Sequence, residues 1–373
     1  MEPLTSVSDS IRENQEKPVI GCFPLYPPVE LFASMGLHPV VLWNLKNSVE
    51  NLEKSDKHIQ QYACGIAREL AQFVMAEGRE LLDAVFSYNA CDTLRNLPEI
   101  LNASNAQAGR NLPGFRMHVP QVDRAQSNPE PYLKNEITGL IKEIESYTGS
   151  TFSPVTFFQT SKKYAEMRGL CLEAEGLVAQ GTVSFENFSR VVLSGYTLPV
   201  ETQIYDLRNL IVAAEKPKQT VSANVVVSGI MPPPLQVIRA MEAADMRVVS
   251  NDIASLRRSY AYSPPETDNP EDFYVDYYTR RFPCTTLLYT ADARIDALLE
   301  LVEDSGADAV IFCGEKFCEH EYFEFPYLKK RLADKGIATL FLEFSVDDAH
   351  HVEGHITRVE AFSETLISGQ RGE

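Results

Sequence analysis

The chain has 373 residues, enough for two domains of ordinary size, and its 44% hydrophobic and 23% charged composition is that of a globular protein. A formal net charge of −18 argues against a duplex nucleic acid or an anionic membrane as partner, since both need basic patches. No apolar run reaches bilayer-spanning length, residues 223–230 (ANVVVSGI) being typical of the longest.

Residues 1–17 are polar and acidic and lack the basic start and apolar middle of a signal peptide, so a loose tail and a cytoplasmic location are expected. Residues 18–24 (PVIGCFP) predict a buried strand, Pro27 and Pro28 open a helix over 29–35, Gly36 stops it, and 40–43 form the next strand. Residues 83–97 (DAVFSYNACDTLRNL) predict strand, loop, cysteine and helix, followed by a strand at 116–119. Residues 131–216 have helical spacing, with helices at 133–147, 161–179, 184–193 and 202–214, and read as a connector.

The pattern then repeats. Residues 224–230 predict a strand, the prolines at 232–234 open a helix, and 248–250 form a strand. The loop 262–273 is expected to be exposed. Residues 308–332 (DAVIFCGEKFCEHEYFEFPYLKKRL) echo the earlier Asp-Ala-Val stretch, with Cys318-Glu319 against Cys91-Asp92. A strand at 339–344 and an amphipathic helix at 354–366 close the chain. The fold class that follows is α/β, with two similar doubly wound parallel-sheet domains at 18–130 and 217–373 and the helical connector between them.

Seven scattered cysteines in a chain without a signal peptide do not suggest a disulfide framework. Cys91 and Cys318 follow equivalent strands, and Cys64 precedes the first Asp-Ala-Val strand at a helix start, where partial positive charge favours thiolate. Three such thiolates suit zinc or an iron–sulfur cluster, although no CxxC pair of the kind found in structural zinc sites occurs. Cys171 and Cys313 read as plain core thiols, and His350, His351 and His355 as an exposed turn with metal-like spacing. There is no GxGxxG and no Walker A motif, so ATP is not expected to be used on this chain.

Several stretches, in order and spacing, carry a resemblance. They are VIGCFPLYPPVELFASMGLHPVVLW, Cys64 at the head of its helix, the Cys91-Asp92-Thr93-Leu94-Arg95 run, VVVSGIMPPPLQVIRAME, KFCEHEYFEFPYLKKRL and TRVEAFSE. Together they resemble the 2-hydroxyacyl-CoA dehydratase and benzoyl-CoA reductase family, in particular its smaller, beta-type subunit. The resemblance implies one 4Fe–4S cluster held by Cys64, Cys91 and Cys318, with one iron left open. It further implies an acyl-CoA substrate, a larger homologous subunit as partner (or a second copy in a homodimer), and a separate ATP-hydrolysing iron–sulfur activator that injects one electron. In the dehydratases that electron makes a ketyl radical from which the 2-hydroxyl leaves; in the reductases electrons enter an aromatic ring. An electron-transfer protein without a substrate of its own is the further alternative.

Glu30 matches an acidic position of the family's first helix, so it is a candidate to face substrate or, equally, an acid favoured by the helix dipole. Arg95, Lys316, Arg257 and Arg258 are candidates for CoA phosphates and otherwise read as solvated surface charge. A branch resembling double-cubane cluster proteins recruits cysteines near Cys22 and Cys284. Residues 250–255 (SNDIAS) lack that branch's further cysteine, so both are read as core residues or neighbours of the site.

Overall fold

A computed structural model describes residues 6–43, 45, 48–120, 128–217, 221–284, 287, 292–346 and 352–370. His350 and His351 lie outside the described residues. The N-terminal half runs α1 (Val7–Glu13), β1 (Val19–Cys22), α2 (Val29–Ser34), β2 (His38–Val41), α3 (Gly65–Met75), β3 (Ala84–Tyr88), α4 (Asp92–Gln107) and β4 (Gly114–Met117). Four helices follow: α5 (Glu130–Thr148), α6 (Pro154–Ala179), α7 (Phe185–Ser194) and α8 (Val200–Val212). The C-terminal half runs β5 (Ala223–Gly229), α9 (Leu235–Ala243), β6 (Met246–Ile253), α10 (Arg257–Tyr260), α11 (Pro270–Arg280), α12 (Ala293–Ser305), β7 (Ala309–Glu315), α13 (Glu319–Ala333), β8 (Ala338–Phe344) and α14 (Glu353–Gln370).

The two sheets are parallel throughout and share one topology, with orders β2-β1-β3-β4 and β6-β5-β7-β8. This is the α/β architecture expected from alternating strand and helix signals. The Asp-Ala-Val echo has a structural cause. Asp83 Oδ2 accepts from the Val19 amide at 2.7 Å, and Asp308 Oδ2 accepts from the Asn224 amide, also at 2.7 Å. Each Asp thus satisfies a backbone donor at the start of its sheet's first strand, and the apolar residues after it enter the sheet interior. Prolines end the β1–α2 and β5–α9 turns, with Pro28 and Pro234 at the helix N-caps.

The N-terminal segment is not a loose tail where it is described. Ser6 caps α1, accepting from the Asp9 amide, and Val7 and Ile11 are buried against the main core. Helix α11 belongs by sequence to the C-terminal half, yet Phe273, Tyr274, Tyr277 and Tyr278 pack into the core around β1, β3 and α2. The end of the 262–273 stretch is therefore helical and buried rather than exposed, while 265–269 does lie mostly at the surface.

Two buried charge groups join the parts. Glu30, fully buried, forms an ion pair with Arg168 of α6 and accepts from Tyr274 Oη at 3.0 Å, so α2, α6 and α11 meet on one carboxylate. Glu30 is therefore a buried, paired carboxylate. Asp252 is held by Arg258 through bonds of 2.9 and 3.0 Å and by Arg294. Burial pushes the Asp252 carboxyl up, and the two guanidiniums overcome this and hold it below the usual carboxylate range. Arg258 is thus a buried structural cation, and Arg257 is paired with Glu175 at 2.7 Å; neither is solvated surface charge.

Removing one partner of a buried ion pair strands the other charge, so Glu30→Gln is expected to destabilise by about 3–5 kcal/mol, read as a lower urea midpoint. His38 is buried with Nε2 donating to the Thr197 carbonyl at 3.1 Å, and burial holds its pKa below the usual value of 6.5. The unfolded chain binds the proton first, so this residue's contribution is full above that value and declines as pH falls through it. Thermal melts at falling pH should show a shallower loss of stability for His38→Gln than for the parent.

Candidate functional site

In a parallel sheet all carboxyl ends face one edge, and the helices that follow start there. Cys64, Cys91 and Cys318 are the N-cap residues of α3, α4 and α13, all three half-buried against the same apolar core. The Leu94 amide, three residues on, donates to Cys91 Sγ at 3.4 Å. The corresponding amides of Ala67 and Glu321 face Cys64 and Cys318 and favour their thiolates without closing a cap hydrogen bond. The i to i+3 relation is the same in all three.

Burial acts against those amides and wins. It pushes Cys64 up to about 12, with the neighbouring Cys91, Glu315 and Glu321 adding to the rise. Cys318 is raised further by burial, Glu321, Cys64 and Cys91, and Cys91 is raised by burial against its two amides. A thiolate at Cys91 would raise Cys64, and thiolates at Cys64 and Cys91 would raise Cys318.

Glu315 ties the arrangement together across the two halves. Buried at the end of β7, its carboxylate accepts from the Gly65 amide at 3.2 Å, next to Cys64, and from the Val346 amide at 3.2 Å. Its carbonyl accepts from the Cys318 amide at 2.9 Å, and its amide donates to Glu321 Oε2 at 2.8 Å. Burial lifts Glu321 to about 7, against the amides of Glu315 and Ile230 and the Arg258 charge. The pseudo-equivalent of α3 is α12, whose N-cap is Asp292 and not a cysteine, so the repeat supplies three thiols.

Among the described residues no three His, Cys, Asp or Glu side chains converge on one ion. Cys22, Cys171, Cys284 and Cys313 are free and buried. Cys284 Sγ accepts from Tyr26 Oη at 3.4 Å and Arg258 Nη1 at 3.7 Å. Arg95 is exposed and pairs with Asp92 at 3.0 Å, and Lys316 is exposed beside Phe317. His355 lies inside α14, its ring tilted against Phe344, instead of forming a turn. Sequence reasoning misses Glu315; the available signal is an acid closing an otherwise apolar, fully buried strand, AVIFCGE.

The chain from residue 24 to 366 matches the model of a family described as 2-hydroxyglutaryl-CoA dehydratase, D-component. The chain belongs to that family. It is 25% identical over 358 residues to the (R)-phenyllactyl-CoA dehydratase beta subunit of Clostridium sporogenes, covering 95% of this chain and 93% of the relative. It is 24% identical over 371 residues to the beta subunit of (R)-2-hydroxyglutaryl-CoA dehydratase from Acidaminococcus fermentans, covering 94% and 93%. One of the subunits of benzoyl-CoA reductase from Thauera aromatica is 23% identical over 339 residues, covering 88% and 85%. The residues matched to the D-component family include strands of both sheets and all three cysteine-bearing helices.

Leucine at position 315 would leave the Gly65 and Val346 amides buried without an acceptor, at about 1–3 kcal/mol each. Glu315→Leu should lower the urea midpoint accordingly, and Glu315→Gln, which keeps an acceptor oxygen, should lower it less.

Proposed function

We propose that this chain is the iron–sulfur, beta-type subunit of an oxygen-sensitive 2-hydroxyacyl-CoA dehydratase, with Cys64, Cys91 and Cys318 as ligands of one 4Fe–4S cluster. The observation that carries this reading is three half-buried cysteines capping three helices at the carboxyl edges of two sheets, each facing its own N3 amide. Their donor chemistry is soft and their mutual repulsion calls for a cationic centre. A polynuclear cluster takes each sulfur on a separate iron, which three such thiolates suit.

When bound, such a cluster supplies one-electron transfer and an open Lewis-acidic position. The chain's residues hold the three sulfurs, direct backbone amides at them, and exclude water behind the core formed with α11. The partners in this reading are the larger homologous subunit, or a second copy, and a separate ATP-hydrolysing activator acting in the cytoplasm on an acyl-CoA-bound enzyme. The similarity to a benzoyl-CoA reductase supports a second reading, in which the complex reduces an aromatic ring.

Anaerobic purification followed by iron and sulfide analysis should find about four irons per chain, whereas zinc or no metal would defeat the proposal. Cys318→Ser should lose that iron while retaining the far-ultraviolet circular dichroism of the parent. With activator and ATP present, turnover of 2-hydroxyacyl-CoAs but not benzoyl-CoA favours the first reading, and the reverse favours the second.

A further inference from the structure

Helix α13 has a packed side and a bare one. On the packed side Phe325 meets the rings of Phe312 at 4.9 Å and Phe341 at 4.3 Å, and Leu328 and Leu332 are buried in the same cluster. The opposite side carries Glu319, Phe323, Pro326 and Lys330, all exposed. Their spacing of four, three and four residues places them in one stripe along the helix. Phe323 is 82% exposed, and Tyr327 on its flank is 43% exposed. Glu319 and Lys330 form no ion pair among the described residues. Aromatic rings framed by unpaired charge are the composition of an interface, in which the rings supply contact area and the charges set orientation.

The order of the charges says which partner fits. The stripe is acidic at its N-terminal end, basic at its C-terminal end and apolar between. Two such helices lying parallel would set Glu319 against Glu319 and Lys330 against Lys330. In the antiparallel arrangement, with a two-fold axis between Glu324 and Phe325, each Glu319 meets the partner's Lys330 and each Phe323 meets the partner's Pro326. The stripe is thus complementary to itself, in one orientation only. A uniformly acidic partner would repel Glu319, and a uniformly basic one would repel Lys330.

We infer that α13 is a dimerisation helix that pairs antiparallel with α13 of a second copy of this chain. One pair of crossing helices buries less than a standard interface, so the association is reversible, with a dissociation constant on the order of 10 μM. This goes beyond the proposed function by choosing the second copy as partner and naming the surface. The stripe contains none of the three cysteines, and the pairing needs no cluster.

The full chain, purified anaerobically, is followed by analytical ultracentrifugation from about 1 to about 100 μM, where its average mass should rise from one chain towards two. Lys330→Glu and Glu319→Lys should each weaken self-association about tenfold or more, and the double variant, which reverses both charges, should recover most of the loss. Phe323→Asp should leave a monomer with the far-ultraviolet circular dichroism of the parent, because the ring is exposed. In a mixture of isotopically light and heavy chains, a zero-length carbodiimide should join Glu319 of one copy to Lys330 of the other. A chain that stays monomeric over the whole range overturns the inference and leaves this face to the larger homologous subunit. A dimer indifferent to Phe323→Asp, or a double variant no stronger than the single ones, overturns it as well. Iron is counted on every sample. Association lost with iron retained indicts the helix contact alone, and a dimer without iron indicts the cluster alone.

Discussion

Three half-buried cysteines stand at the starts of three helices, where the helix field and burial act on their thiols in opposite directions. Helix N-termini supply the favourable field, and burial supplies the opposing penalty, which wins in the bare protein. Cys171 and Cys313, within a helix and a strand, are raised by burial as well, but no helix N-terminus faces them.

The sulfurs come from different halves of the chain, so their geometry depends on how the halves are joined. Helix α11 is one joint. Its aromatic rings enter the first core, with Phe273 against Phe157 at 5.4 Å, while Arg281 just beyond it lies over Tyr26 at 3.4 Å and Tyr277 at 4.8 Å. The Glu30–Arg168 pair pins the same region to α6, and Glu315 adds a direct link from β7 to the start of α3. Apolar burial provides the bulk of the stability, and these few polar bonds select one relative placement.

Much of this is legible in the sequence because local rules and the fold agree. Proline turns, Asp-Ala-Val strands and cysteines at helix starts are short-range signals, and the repeat doubles each of them. What the sequence misstates involves partners that no local pattern pairs. Glu30 reads as an acid facing substrate or as one favoured by the helix dipole, and neither reading names its ion-pair partner Arg168, 138 residues away. Arg258 reads as surface charge, although Asp252 is only six residues off, because nothing local says that both are buried. The N-terminal segment reads as loose because its apolar face, Val7 and Ile11, is too short to announce a helix.

Period, turn chemistry and residue type by themselves determined the α/β class, the internal repeat and the three cysteines worth following. Those depend on neighbours within a few positions, where backbone stereochemistry and hydrophobic spacing act. Tertiary structure alone decided which charges are buried, that α11 crosses into the other core, and that Glu315 reaches the start of α3. Such facts arise when segments hundreds of residues apart exclude water from one another, and no local pattern records that.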